Sequence, residues 1–293
     1  MMKIFNKYNI FKFLFFSFIF MIILFIFYLS NKICIHSHGY ILREELKLVL
    51  IAFKFMLIIV LPVIFLIIFI VCYYHQSNVF ATYKPNWKHS YFLEIICWLI
   101  PVIIIFFLAN LSWITTHKLD PSKSLKFNSN KPITIEVVSL NWRWLFIYPD
   151  YKIATINEIS FPKNVTIHFN ITSQSVMNSF FIPNLGSQIY TMAGMKTNLN
   201  LIAINSGIYQ GISSNYSGYG FSNMKFKVYV QNDMHNFHKW IKKIKSKKNV
   251  LFSKEQFLNL SRNSKQHHIQ YFSYVDPLLF YKIIDMFNVL HNV

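Results

Sequence analysis

Apolar residues crowd into the first 115 or so positions of this 293-residue chain as long unbroken runs, and beyond them the pattern shortens into alternating stretches. The first run, Phe13 to Leu29, is 17 residues long and follows Lys3, Lys7 and Lys12. A basic segment ahead of an apolar core marks a signal peptide or an uncleaved signal anchor, which is the reading of residues 1–33. Val49 to Cys72 and Phe92 to Trp113 hold 24 and 22 residues. Each exceeds the roughly 20 residues that cross a bilayer core, so residues 34–116 predict a transmembrane helical hairpin. Pro62 and Pro101 fall near mid-span, where neighbouring helices cover the freed carbonyls. Lys54 lies close enough to an end to snorkel. Lysine counts on either side of the hairpin leave its orientation open. A signal at the N-terminus would place the C-terminal part outside the cytoplasm.

Residues 117–130 form a polar linker with an Asp-Pro step and Ser/Asn clusters. The segments that follow, among them "ITIEVVSL", "WRWLFIYP", "VTIHFNIT", "KTNLNLIAI" and "KFKVYV", are β-branched and aromatic, and Pro, Asn and Gly bound them. They predict a compact all-β sandwich or barrel over 131–232. From Asp233, a plausible N-cap, the period returns to helical; a second capped segment begins at Ser253, and Pro277 sits in the first turn of a last helix. Residues 233–293 are thus an aromatic-rich helical extension.

The net charge of +18 first raises nucleic acid as a partner. The basic residues are scattered, however, and only "HKWIKKIKSKKN" is dense. Abundant Phe, Ile, Lys and Asn also fit drift in an AT-rich genome, so no nucleic-acid partner is expected. Cys72 and Cys97 lie in apolar runs as small hydrophobes, whereas Cys34 follows the N-terminal run and is a candidate for lipidation, against poor preceding residues. Of the histidines, His36 and His38, His235 and His238, and His267 and His268 form pairs. His235 and His238 would share a helix face, but no cysteine or carboxylate cluster joins them, so a solvated face is the reading and no metal is assigned. Glu94 is the acidic residue inside a span. A carboxylate there faces a protein interior or proton path, or else sits among headgroups; position alone leaves both open.

"SSNYSGYGFSNM" (213–224) reads by itself as a Gly/Ser/Asn turn. Together with "IEVVSLNWRWLFIYP", "EIICWLIP" and "SVMNSFFIPNLGSQIYTMAGM" it resembles subunit II of the haem–copper terminal oxidases, on the ubiquinol-oxidising side of that family. The resemblance covers the hairpin, linker, β domain and extension. It implies an extracytoplasmic cupredoxin-like barrel behind the hairpin, in a multi-pass protein of the bacterial inner membrane. In the cytochrome c-oxidising branch this domain carries a binuclear copper centre, held by a histidine on one loop and by C-x-E-x-C-x-x-x-H-x-x-M on another. Laid on that pattern, Ser213 and Ser217 stand at the cysteines, Asn215 at the glutamate, Phe221 at the histidine, Met224 at the methionine and Asn178 at the first histidine.

Five of the six positions have therefore lost their donor. A mixed-valence copper pair needs bridging thiolates; neutral hydroxyls and a phenyl ring do not hold it. The resemblance implies a non-catalytic subunit of an oxidoreductase complex, binding no cofactor itself, with haems and copper in subunit I. Its partners would be subunit I, the smaller oxidase subunits and the lipid bilayer, and ubiquinol would reach the complex but no site in this chain. Glu94 matches the family's glutamate at the mouth of a proton-uptake channel. Trp142 and Trp144, on an electron route where copper is present, are read as packing residues. The rival readings are a copper-binding, electron-accepting subunit of a cytochrome c oxidase and a membrane-anchored binding module without an oxidase partner.

Overall fold

The computed structural model describes residues 21, 28, 37–74, 76, 78–79, 81–82, 84–123, 125, 131–251, 253–262 and 268–291. Two compact units divide the chain, one carrying Leu46–Lys118 and the other Ser37–Glu45 with Leu119 onward.

The helical unit is a pair of long helices, α1 (Tyr40–Tyr73) and α2 (Tyr91–Lys118), each long and apolar enough to cross a bilayer. Helix α1 starts nine residues ahead of the apolar run at Val49, because its first turns, "YILREELKL", are built from helix-favouring but partly charged residues that an apolar criterion passes over. Pro62 and Pro101 lie inside the helices. Phe55 stacks on Phe107 with ring centroids 6.4 Å apart, joining the pair. Most other large apolar side chains on both helices are exposed, as lipid-facing or partner-facing residues are.

The second unit is a sandwich. A six-stranded sheet runs in the order β12-β3-β2-β1-β5-β8, built from β1 (Ile133–Leu140), β2 (Arg143–Tyr148), β3 (Ile153–Ile156), β5 (Ile167–Ser173), β8 (Thr197–Leu201) and β12 (Gln270–Phe272). A five-stranded sheet, β4-β10-β9-β6-β7, holds β4 (Glu158–Pro162), β6 (Asn178–Phe181), β7 (Gln188–Thr191), β9 (Gly207–Ser213) and β10 (Lys225–Gln231). β11 (Val250–Leu251) pairs with β13 (Tyr274–Val275). Both sheets mix parallel and antiparallel pairs: β1 runs antiparallel to β2 and parallel to β5, with Val137 opposite Phe146 and Ile171.

Between the sheets lies an aromatic core. Phe180 packs on Phe226 with near-parallel rings 5.2 Å apart, and on Trp144 at 5.4 Å and Phe169 at 5.3 Å. Gly211 is required there, since a Cβ would fall 1.9 Å from the Phe226 ring. The outer face of the six-stranded sheet is also covered. Val138, Leu140, Leu145 and Ile147 are buried under the C-terminal extension by Phe257, Phe272, Leu279 and Phe280. Strand β2 is consequently buried at every position, which is why "WLFIY" runs on without polar alternation.

Three helices complete the extension: α3 (Met234–Lys245), α4 (Lys254–Ser261) and α5 (Leu279–His291). Asp233 caps α3 by accepting from the Asn236 N–H, and Ser253 with Gln256 forms a capping box on α4. Glu158 ties the extension to the sandwich: one carboxylate oxygen accepts from Trp240 Nε1 at 3.1 Å and the other from the Tyr271 hydroxyl at 3.0 Å. Burial first, then the charge of Glu158, pushes the Tyr271 hydroxyl well above its ordinary value, so the proton stays on the tyrosine.

Candidate functional site

The residues matched to the copper-loop pattern come from two elements that the five-stranded sheet brings side by side. Strands β6 and β9 pair with Phe180 opposite Ser213, so Asn178 at the start of β6 lies beside the end of β9. The loop after β9 returns through a short 3₁₀ turn, Phe221–Asn223, and the Ser213 N–H donates to the Met224 carbonyl at 3.1 Å, closing it. Two glycines shape the return. Gly218 has φ +106°, a region L side chains avoid, and a Cβ on Gly220 would lie 2.3 Å from the Trp142 indole. Trp142 therefore rests on the loop backbone. Its Nε1 donates to the Ser217 carbonyl at 3.0 Å, and its ring meets Tyr219 edge-on at 4.6 Å.

Asn178, Ser213 and Asn215 are drawn into one hydrogen-bond network. The Ser213 hydroxyl reaches Asn178 Oδ1 at 3.2 Å and the Asn215 carbonyl at 3.3 Å. Asn178 Nδ2 donates to the Val176 carbonyl at 3.2 Å, and Asn215 Nδ2 donates to the Met177 carbonyl at 3.1 Å. Beneath them Ser139 Oγ lies 2.9 Å from Ser173 Oγ and 3.0 Å from Thr191 Oγ1, while the Asn178 N–H donates to Thr191 Oγ1 at 3.2 Å. Met224 is buried. Ser217 and Phe221 stand outside the network: the Ser217 hydroxyl is buried without a hydrogen-bond partner among the described residues, and Phe221 packs on Tyr216 at 5.8 Å.

The donor set decides what such a site can hold. Its side chains offer neutral amides and hydroxyls and one thioether, with no thiolate or imidazole to bind a soft metal pair. The amides of Asn178 and Asn215 and the Ser213 hydroxyl find their partners in one another and in nearby backbone carbonyls, as buried polar groups do. Among the described residues no three His, Cys, Asp or Glu side chains come together.

Ser139, Ser173 and Thr191, the floor of this network, were not anticipated from the sequence. The one local signal was a serine interrupting the apolar run "VVSL". Trp144 is wholly buried in the core, as read for a packing residue. Glu94 is the fourth residue of α2; its N–H donates to the Ser90 carbonyl at 3.0 Å and its side chain is exposed. His235 and His238 are exposed on α3. Cys34, His36, His267 and most of residues 1–33 lie outside the described residues.

A two-sheet domain followed by an aromatic-rich extension is the arrangement that two oxidase families match in this chain. Residues 151–231 match the family described as Cytochrome C oxidase subunit II, periplasmic domain, and residues 247–289 match the COX Aromatic Rich Motif. The cytochrome bo(3) ubiquinol oxidase subunit 2 of Buchnera aphidicola subsp. Schizaphis graminum is 50% identical over 280 residues, 96% of this chain and 95% of that protein. The same-named protein of Pseudomonas aeruginosa is 48% identical over 84% of this chain and 73% of its own length. The ubiquinol oxidase subunit 2 of Acetobacter aceti is 47% identical over 80% of this chain and 75% of its own length. The chain belongs to the ubiquinol oxidase subunit 2 family.

Proposed function

We propose that this chain is the non-catalytic second subunit of a proton-pumping ubiquinol oxidase in a bacterial inner membrane, with its β domain on the periplasmic side. The complex oxidises ubiquinol and reduces oxygen to water; its haems, copper and quinol site belong to subunit I, and this chain binds none of them. The helical pair packs on that subunit within the bilayer and the sandwich caps its outer face, alongside the smaller subunits. The observation that carries the reading is the Asn178–Ser213–Asn215 network. At the matched positions Ser213 bonds to Asn178 and to the Asn215 carbonyl, Asn215 bonds to the Met177 carbonyl, and the set presents no thiolate or imidazole, so electrons from a protein donor find no relay here. Asn178, Ser213, Asn215, Ser217, Phe221 and Met224 are then the vestige of a copper site, kept for closing the sandwich.

The test is oxygen uptake by the complex purified through a tag on this chain. Uptake with ubiquinol and none with reduced cytochrome c is expected. Uptake with cytochrome c would overturn the reading.

Glu94 is assigned to proton uptake at the cytoplasmic end of α2, where an exposed carboxylate so near the apolar span requires a partner or a water path. Glu94→Gln in the assembled complex is expected to slow turnover several-fold with haem content unchanged; wild-type turnover would remove that role. Acylation of Cys34, read from its place after the N-terminal apolar run, would appear as a lipid-mass increment on the N-terminal peptide.

A further inference from the structure

Helix α3 and the three residues past its end carry six lysines within ten positions, Lys239, Lys242, Lys243, Lys245, Lys247 and Lys248, all exposed. The helix is strictly two-sided. Phe237, Ile241 and Ile244 are buried in the sandwich core, and Trp240 turns inward to Glu158. At 100° per residue, Lys239, Lys242 and Lys243 fall with His235 on the opposite side. No ion pair neutralises any of the six among the described residues. The nearest carboxylate on the helix, Asp233, is occupied as the N-cap.

Favourable interaction with the helix C-terminus accounts for Lys242, Lys243 and Lys245 in the last turn. It does not account for Lys239, a turn and a half before the end, or for Lys247 and Lys248, beyond it. Nor does α3 have apolar area left for membrane insertion, since that face is spent on the sandwich. What remains is an exposed cationic face without an aromatic or aliphatic anchor at its centre.

We propose that this lysine face of α3 is an electrostatic docking surface for anionic phospholipid headgroups. Two considerations select that occupant. Protein partners bind through buried apolar or aromatic anchors set among polar contacts, and the face offers none. A headgroup layer is a diffuse sheet of negative charge that asks for clustered lysines and nothing else. The chain also carries α1 and α2, so on the membrane reading given above an anionic leaflet is held at high effective concentration beside this domain. Docking would add, at the α3 edge of the extension, contacts to lipid headgroups that salt weakens.

The test uses the intact oxidase complex in nanodiscs of phosphatidylcholine alone or with about a third phosphatidylglycerol. Lysine acetylation is followed by peptide mass spectrometry, with the exposed strand lysines Lys225 and Lys227 as internal controls. Acetylation of Lys239–Lys248 is expected to be about threefold or more slower in the anionic discs at low salt, and high salt, which shortens the Debye length to a few ångströms, should restore it. In the Lys239→Gln, Lys242→Gln, Lys243→Gln variant the remaining lysines should lose the lipid difference. Equal rates in both lipids overturn the proposal. Slow labelling in both, insensitive to salt, also overturns it and assigns the face to a protein partner. Neither result bears on substrate choice, which oxygen uptake decides separately.

Discussion

The two faces of the six-stranded sheet are both buried, but in different ways. The inner face meets the other sheet through rings: Trp144, Phe146, Phe169, Phe180 and Phe226 interlock. The outer face meets the extension through aliphatic and aromatic side chains interrupted by charge. Glu136 is 3% exposed and Arg143 8%, both on strands whose neighbouring outward positions lie in the outer cluster. The inner core takes from the extension only α3, through Phe237, Ile241 and Ile244, whereas the outer one exists only while Phe257, Phe272, Leu279 and Phe280 stay docked on the sheet. The difference separates what folds the domain from what fastens residues 247–289.

The largest effect should come from breaking the inner face. Phe180 is fully buried and touches four other rings. Phe180→Ala should cost about 3–5 kcal/mol, read in denaturant unfolding of the detergent-solubilised chain. A loss below about 1 kcal/mol would mean that the rings can close the gap and that the core is not interlocked as described.

Next comes the fastening. Glu158→Ala leaves the Trp240 N–H and the Tyr271 hydroxyl without their acceptor, an expected loss of about 2–3 kcal/mol. Glu158→Gln should lose less, because an amide oxygen still accepts from Trp240 and the tyrosine oxygen can accept from the amide. Limited proteolysis locates the loss: the alanine variant should be cut first within residues 247–289, with the sandwich surviving. Simultaneous loss of both regions would show that the two clusters unfold as one.

How much of this was legible in the chain differs between the same two faces. Local chemistry was readable: Asp233 and Ser253 declare their helices because a cap needs only the next three residues. The loop positions could be aligned because their spacing is fixed within twelve residues, and the structure brings Asn178, Ser213 and Asn215 into contact. The floor of that network was hidden. Ser139 and Ser173 meet because β1 pairs in parallel with β5, a contact between residues 34 apart that no local pattern announces, and Thr191 joins them from β7 of the facing sheet. The covered outer face was hidden for the same reason. An alternation of apolar and polar residues reports a half-exposed strand, but it fades where a distant extension buries the second side, so "WRWLFIY" concealed which of its residues faced which core.

The smallest expected effect is also the sharpest probe of the outer face, because it has a sign that changes with pH. Burial raises the Glu136 carboxyl from 4.5 to about 7, and Lys196 pulls only partly the other way. One of its oxygens, Oε2, has no hydrogen-bond partner among the described residues. Below about pH 4.5 the carboxyl is protonated in both folded and unfolded chains and costs nothing. Between that pH and about 7 the unfolded chain ionises while the folded one holds its proton, so stability falls as pH rises, and above 7 the full penalty persists. Glutamine mimics the neutral form at every pH. Glu136→Gln should therefore leave unfolding at pH 4.5 nearly unchanged and stabilise the protein at pH 8 by about 2 kcal/mol, raising Tm there by several degrees. A variant equally stable to the parent at pH 8 would mean that water reaches Glu136 and the outer face is not dry. In that case its charge is solvated, and Glu136 no longer distinguishes the outer face from the inner one.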